Sequence, residues 1–279
     1  MNNIKNPPEW KNYWEEISPH LLGFIDSQKD LDVYNYLVNT YAFYLYYTED
    51  IYKKIKKNDE YYATLSLFLV FMHDYLRSII KLYESFHIGP LALVQRTVFE
   101  TYCNFKYMTE SNNYNELISK YERFADVEKI LMFRDNPKLK LSEDEIREIK
   151  KHCPEWFKTK SNGEMFIIKN WTANNEMSLK KRAQHCGLEK DYNVMYSSTS
   201  KFIHASPLTR NVYLAQHGLT PLVDKKNIFS VSIVTSNYAL DFLRSFMTFF
   251  GVAFPEKEHT PLSDDFLYLM KKYKISASS

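Results

Sequence analysis

Two short stretches of this chain carry polar residues at a spacing that chemistry can use. In 90–108, Arg96, Glu100 and Asn104 recur every four residues, so a helix lines them up on one stripe. In 192–204, Tyr196, Ser200 and His204 recur at the same interval. A histidine titrates near neutral pH and can take or give a proton. Arginine presents a planar fork that fits a phosphate or another oxyanion. Glu100 can orient either group and fix the imidazole tautomer. The hydroxyls of Tyr196 and Ser200 can position a leaving group or a water. If the two ridges meet, Arg96, Glu100 and His204 are the catalytic candidates, and Tyr196, Ser200 and Asn104 the binding candidates. RNA suits such a set without any metal, because its own 2′-hydroxyl supplies the nucleophile. The competing interpretation is an internal Arg96–Glu100 salt bridge that specifies helix packing, with His204 bonded to Ser200.

The 90–108 stretch must be a helix for this to work. Pro90 follows Gly89 and suits the first helical turn, where a missing N–H costs nothing. Leu91, Val94, Val98, Tyr102 and Phe105 share one face and form the expected core side. The polar stripe is narrow, flanked by Ala92, Phe99 and Cys103 and interrupted by Leu93. A solvent face is normally wider and richer in Lys, so the stripe is expected to point inward. The run Ser197–Ser200 is poor helix-forming material, because hydroxyls compete for backbone groups. Placing it in a helix calls for a packing or site reason.

The flanking sequence supplies further helices. Periodicity predicts helices over 31–57, 59–86, 114–133, 142–152, 178–186, 191–205, 228–250 and 262–274. Asp30 or Asp32 is a candidate cap for the first. Ser142 with Glu145 forms a capping-box pattern. Gly187 and Gly251 are placed to close helices. Residues 155–175 are the least helical stretch and are read as a short strand pair or an ordered loop. The short link at 87–90 makes the second and third long helices antiparallel neighbours. The sum is an all-α bundle of long antiparallel helices, with shorter helices and an irregular segment across one end. Its expected divisions are an N-terminal arm over 1–30, a single helical domain over 31–251, and a C-terminal helix with a frayed tail over 252–279.

Composition narrows the function classes. The chain of 279 residues is 45% hydrophobic and carries a net charge of +2, so it can bury a core and has no strong electrostatic pull on nucleic acid. Only 6 glycines argue against a glycine-rich nucleotide loop or a turn-rich β fold. Three cysteines make no disulfide framework and fit a reducing cytosol. No signal pattern opens the sequence, and the longest uncharged apolar runs fall short of a bilayer span. The adjacent pairs His152–Cys153 and His185–Cys186 lack zinc-site spacing. No metal or cofactor is expected.

The motif R-T-V-F-E at Arg96–Glu100, Trp171, and Y-x-x-x-S-x-x-x-H at Tyr196–His204 resemble a mainly prokaryotic family, the domain of unknown function five-six-seven-seven. The resemblance covers roughly 65–205 and implies a helical fold with Arg96, Glu100, Ser200 and His204 as a shared polar site. It implies no particular reaction. More loosely, the chain is similar to HEPN-type helical ribonucleases of toxin and phage-defence systems, which carry an Arg and a His close together on one helix. Here Arg182 and His185 are closer still, whereas Arg96 and His204 are far apart in the chain. The resulting expectation is a cytoplasmic effector directed at RNA or a nucleotide. Its expected partners are that ligand and a second copy of the chain, with no membrane. The alternative is a non-catalytic binding or scaffold protein.

Overall fold

Helical periodicity in the sequence becomes helix in the structure, a computed structural model that describes residues 30–55, 61–85, 88–133, 141–174, 176–197 and 225–275. The helices are α1 (Leu31–Lys54), α2 (Tyr62–Glu84), α3 (Ile88–Glu110), α4 (Tyr114–Phe133), α5 (Glu143–His152), α6 (Leu179–His185), α7 (Glu189–Asp191), α8 (Lys225–Phe249) and α9 (Glu256–Lys272). The protein is an all-α bundle, and the one sheet among the described residues is a hairpin of two three-residue strands, β1 (Phe157–Thr159) and β2 (Met165–Ile167). The arm over 1–29 lies outside the described residues, as do Ser200 and His204.

The chain divides into two compact units. One comprises residues up to Lys106 together with Leu188 onward; the other is Tyr107–Gly187. The range 31–251, read from sequence as one domain, spans both.

In the first unit, α1 and α2 pair as a hairpin, and α8 packs against both. Aromatic rings make the core. Phe105 of α3 meets Phe68 of α2 at 5.9 Å between ring centres, and Phe242 and Phe246 of α8 at 4.9 and 5.6 Å. Phe99 and Tyr102, earlier on α3, meet Tyr238, earlier on α8. Advancing along α3 thus advances along α8, so these two helices run parallel, unlike the antiparallel pairs expected throughout. Leu91, Val98, Tyr102 and Phe105 are buried as predicted, whereas Val94 is only half-buried. It lies toward the edge of the core stripe, beside exposed Leu93.

By length and composition α2 is apolar enough to cross a membrane. In this fold Leu65, Phe68, Leu69, Met72, Leu76, Ile79 and Ile80 bury its inner side. Its outer side bears Leu67, Val70 and Phe71, then Asp74, Arg77 and Lys81.

The first unit is tied across its ends by Asp30. The Asp30 carboxylate caps α1, accepting from the backbone amides of Asp32 (3.0 Å) and Val33 (3.2 Å). It also accepts from Lys272 Nζ at 2.9 Å and from the Tyr273 hydroxyl. The Tyr83 hydroxyl donates to its backbone carbonyl at 2.8 Å. One residue thereby joins the start of α1, the last turn of α2 and the end of α9. Burial pushes the Asp30 carboxyl up, but the bonds from Tyr273, Lys272 and the Val33 amide outweigh it and hold the group below its usual value.

In the second unit, Trp156 is fully buried against Phe124, and its indole N–H donates to the Asn170 carbonyl at 2.9 Å. Trp171 sits edge-on to Tyr107 and Tyr121, under the Arg182 guanidinium. The capping box at Ser142 and Glu145 forms as predicted. The irregular stretch resolves into the hairpin, pairing Phe157 with Ile167 and Thr159 with Met165.

Helix α9 starts at Glu256, not at 262, and carries Pro261 inside it. The expected start at 262 falls one residue after that proline. Its missing N–H removes only one backbone bond near the first turns, which the packing of α9 against α1 and α8 offsets.

Two outcomes test this fold. Val98 is 0% exposed, so Val98→Asp buries an unpaired carboxylate. It should cost about 4 kcal/mol or more, a large share of a domain's total stability, and abolish soluble expression. Asp30→Asn should lower stability by about 1–2 kcal/mol at neutral pH, through a weaker cap and weaker charged bonds. Because the folded-state pKa of Asp30 is depressed, its contribution is present above the ordinary carboxylate range and lost as pH falls through it. Denaturant melts of the wild type and Asp30→Asn should therefore converge in acid.

Candidate functional site

Helix α3 delivers one of the predicted ridges, and the segment after α7 delivers part of the other. Arg96, Glu100 and Asn104 are all half-buried on α3. Residues Tyr192–Ser197 form a π-helical turn rather than the expected α-helix. Such turns carry an extra residue per hydrogen-bonded ring and recur at functional sites. The hydroxyl-rich sequence that follows is weak helix material, so nothing local enforces α geometry here.

The two ridges meet at Arg96 and Tyr196. The Arg96 guanidinium donates to the Tyr196 hydroxyl, and its central carbon lies 4.2 Å from the Tyr196 ring centre. The Tyr192 ring stacks on Tyr196 at 5.1 Å and 20°, and Phe99 lies 6.4 Å from Tyr192. Burial raises the Tyr192 phenol, and Tyr196 adds to the shift while Arg96 opposes it. The site thus has a guanidinium bordered by a pair of parallel aromatic rings.

Glu100 does not close onto Arg96; among the described residues no ion pair joins them. Its charge acts instead on Tyr75 of α2, whose phenol is raised first by burial and then by Glu100 and Asp74. Asn104 Oδ1 is buried without a hydrogen-bond partner among the described residues. A buried acceptor left this way calls for an explanation, and a ligand donor is one. Ser200 and His204, the rest of the second ridge, lie outside the described residues.

Helix α8 adds groups that sequence reading left unassigned. Tyr238 packs on Phe99 and Tyr102, and its phenol is raised by burial and then by the nearby charge of Asp191. Asp241 lies one turn further on. Burial pushes its carboxyl up to about 6, opposed by Arg244 and Lys106 and reinforced by Asp191. Asn237 Nδ2 donates to Asp241 at 3.3 Å. A carboxyl that titrates near neutral pH beside a second carboxylate is a proton donor or acceptor in waiting. The signal was present in the sequence as Asn237, Asp241 and Ser245 at four-residue spacing on an apolar helix. What it lacked was any sign that α8 lies against α3.

One other polar chain stands apart from this set. The Tyr41 hydroxyl is 2.8 Å from His73 Nε2, and His73 Nδ1 is 3.2 Å from Asp74. Among the described residues, no cluster of three or more His, Cys, Asp or Glu side chains is arranged to hold a metal ion.

A polar site lodged inside an all-α bundle is the class of protein that these features define. The chain belongs to the family of unknown function DUF5677, whose model matches residues 61–218, more than half of the 279 residues. That match spans α2, α3 and the Tyr192–Ser197 turn, and so includes both sides of the Arg96–Tyr196 contact. No curated protein and no solved structure matches the chain.

The raised Asp241 pKa has a signed consequence. Between the ordinary value of 3.8 and about 6, the folded protein keeps a proton that the unfolded chain has released. Stability therefore falls as pH rises through that window and stays lower above it. Asp241→Asn should stabilise the fold at pH 8 by about 1–3 kcal/mol, with the gain disappearing near pH 4. Urea melts of both proteins across this range check it.

Proposed function

We propose that this protein is a cytoplasmic effector directed at RNA or a nucleotide, acting in phage defence or as a toxin in the manner of the helical ribonucleases. The observation that carries the reading is the Arg96–Tyr196 contact, which joins residues 100 positions apart from the two ridges singled out by their chemistry. A guanidinium beside stacked tyrosines fits the two halves of a nucleotide. Arg96 would hold a phosphate oxygen, and the Tyr192–Tyr196 pair would offer a face on which a base can stack.

In the reaction proposed, His204 removes the proton from a ribose 2′-hydroxyl. That oxygen attacks the adjacent phosphorus, and the bond to the 5′-oxygen breaks. The departing oxygen takes a proton, leaving a 2′,3′-cyclic phosphate and a 5′-hydroxyl. Arg96 offsets the charge that builds on the non-bridging oxygens. No outside oxidant or co-reactant is needed.

One observation favours the alternative, a non-catalytic binding or scaffold protein: the Arg96 guanidinium already has a partner in Tyr196. The two readings part under mutation. For an enzyme, His204→Ala should cut RNA cleavage by about 100-fold or more with little change in melting temperature. Arg96→Ala should weaken RNA binding as well. Growth and RNA integrity are measured on expression, with and without phage challenge, for wild type and both variants. A wild type that leaves RNA and growth untouched under challenge selects the scaffold reading, as does a His204→Ala protein indistinguishable from wild type.

A further inference from the structure

The Tyr107–Gly187 unit contains a cleft of about 380 Å³, near the lower end of the range for small-molecule sites. None of its lining residues belongs to the Arg96 set. Its lining includes the Tyr107 ring, braced edge-on by Trp171 and His185, and the Met177 side chain. Tyr107 is only 9% exposed, yet its hydroxyl has no hydrogen-bond partner among the described residues. A largely buried phenol on a residue that lines a cleft is a ready donor or acceptor for whatever fills it.

The walls carry charge. Lys120 and Lys158 both line the cleft. Lys120 is paired with Glu116, but Lys158 has no ion-pair partner among the described residues. The one lining carboxylate, Glu155, is held by Arg123 at 2.7 Å, so its charge is offset. The cleft as a whole therefore favours an anion. Asn174 also lines it; its Oδ1 accepts from the Glu176 amide at 2.9 Å, so its Nδ2 is the group left to donate.

We propose that this cleft binds a nucleoside monophosphate. Each part has a counterpart among the lining residues: the Tyr107 ring and Met177 for the flat base, the lysines for the phosphate, and Asn174 for the polar edges of base or ribose. A volume this small holds one nucleotide rather than a run of them. The site would accordingly read a free mononucleotide and not a strand. The inference does not rest on the RNA reading, since its test measures binding and not cleavage.

The test is titration calorimetry on the full chain with AMP and GMP, alongside adenosine and inorganic phosphate. At least one mononucleotide should bind, at least tenfold more tightly than either adenosine or phosphate alone. Lys158→Glu, an exposed change on β1 that the fold tolerates, should weaken that binding at least tenfold with an unchanged melting temperature. Tyr107→Phe, which keeps the ring, should weaken it less. Arg96→Ala should leave it intact. Absence of binding by either mononucleotide at about 1 mM overturns the proposal. So does inorganic phosphate binding as tightly as the nucleotide, which would mean a bare anion site. Binding that survives Lys158→Glu but is lost in Arg96→Ala would also overturn it, by placing the ligand at the other site.

Discussion

Enclosure of α3 is the constraint on which the rest of the first unit depends. Among its described side chains only Pro90, Leu93 and Glu110 are exposed. A helix so surrounded leaves its polar residues little access to water, so a neighbour or a ligand must supply most of their partners. Arg96 finds Tyr196, and Glu100 lies near Tyr75. Asn104 is left with a buried oxygen that no described residue bonds. The aromatic packing of Phe105 on Phe242 and Phe246 fixes the helix about its axis, and that rotation decides where the polar stripe points. Site and core are thus set by the same contacts.

Much of the fold was legible in the sequence because its signals are local. Caps at Asp30 and Ser142, glycines at 187 and 251, and apolar residues at helical spacing each act within a few positions. Where reading failed, a distant partner had decided the matter. The last helix was expected only from 262, yet packing carries α9 back through Pro261 to Glu256. The parallel course of α3 and α8 cannot be read from either helix alone. Nor can the π turn at Tyr192–Ser197, because the same residues at the same spacing fit an α-helix equally well until Arg96 and Phe99 are placed beside them.

The site shows the same division. Spacing brought Arg96 and Tyr196 forward as members of two ridges, and these two do touch. Glu100 was read as able to orient Arg96 or His204, with an Arg96–Glu100 salt bridge as the competing interpretation; among the described residues that bridge does not form. Two residues at helical spacing can pair, but Tyr196 already takes the guanidinium and Glu100 lies toward α2. Asp241 went unassigned because burial and a neighbouring carboxylate, neither visible in sequence, are what raise its pKa. Ser200 and His204 lie outside the described residues, and their role belongs to the proposal.

The parallel pairing of α3 with α8 also governs how the chain can fold. Between these two neighbouring helices the chain carries the whole Tyr107–Gly187 unit. The first unit is therefore discontinuous. Its Asp30–Lys272 bond joins residues 242 positions apart, and α1 meets α8 only after some two hundred intervening residues have been made. Such long-range closure is slow and leaves apolar surface open meanwhile. During synthesis α1, α2 and α3 must wait, with Phe68 and Phe105 uncovered, while the inserted unit, whose contacts are local, is free to fold first. A nascent chain stalled anywhere before α8 would expose the aromatic core, which makes the last fifth of the sequence the step that covers it.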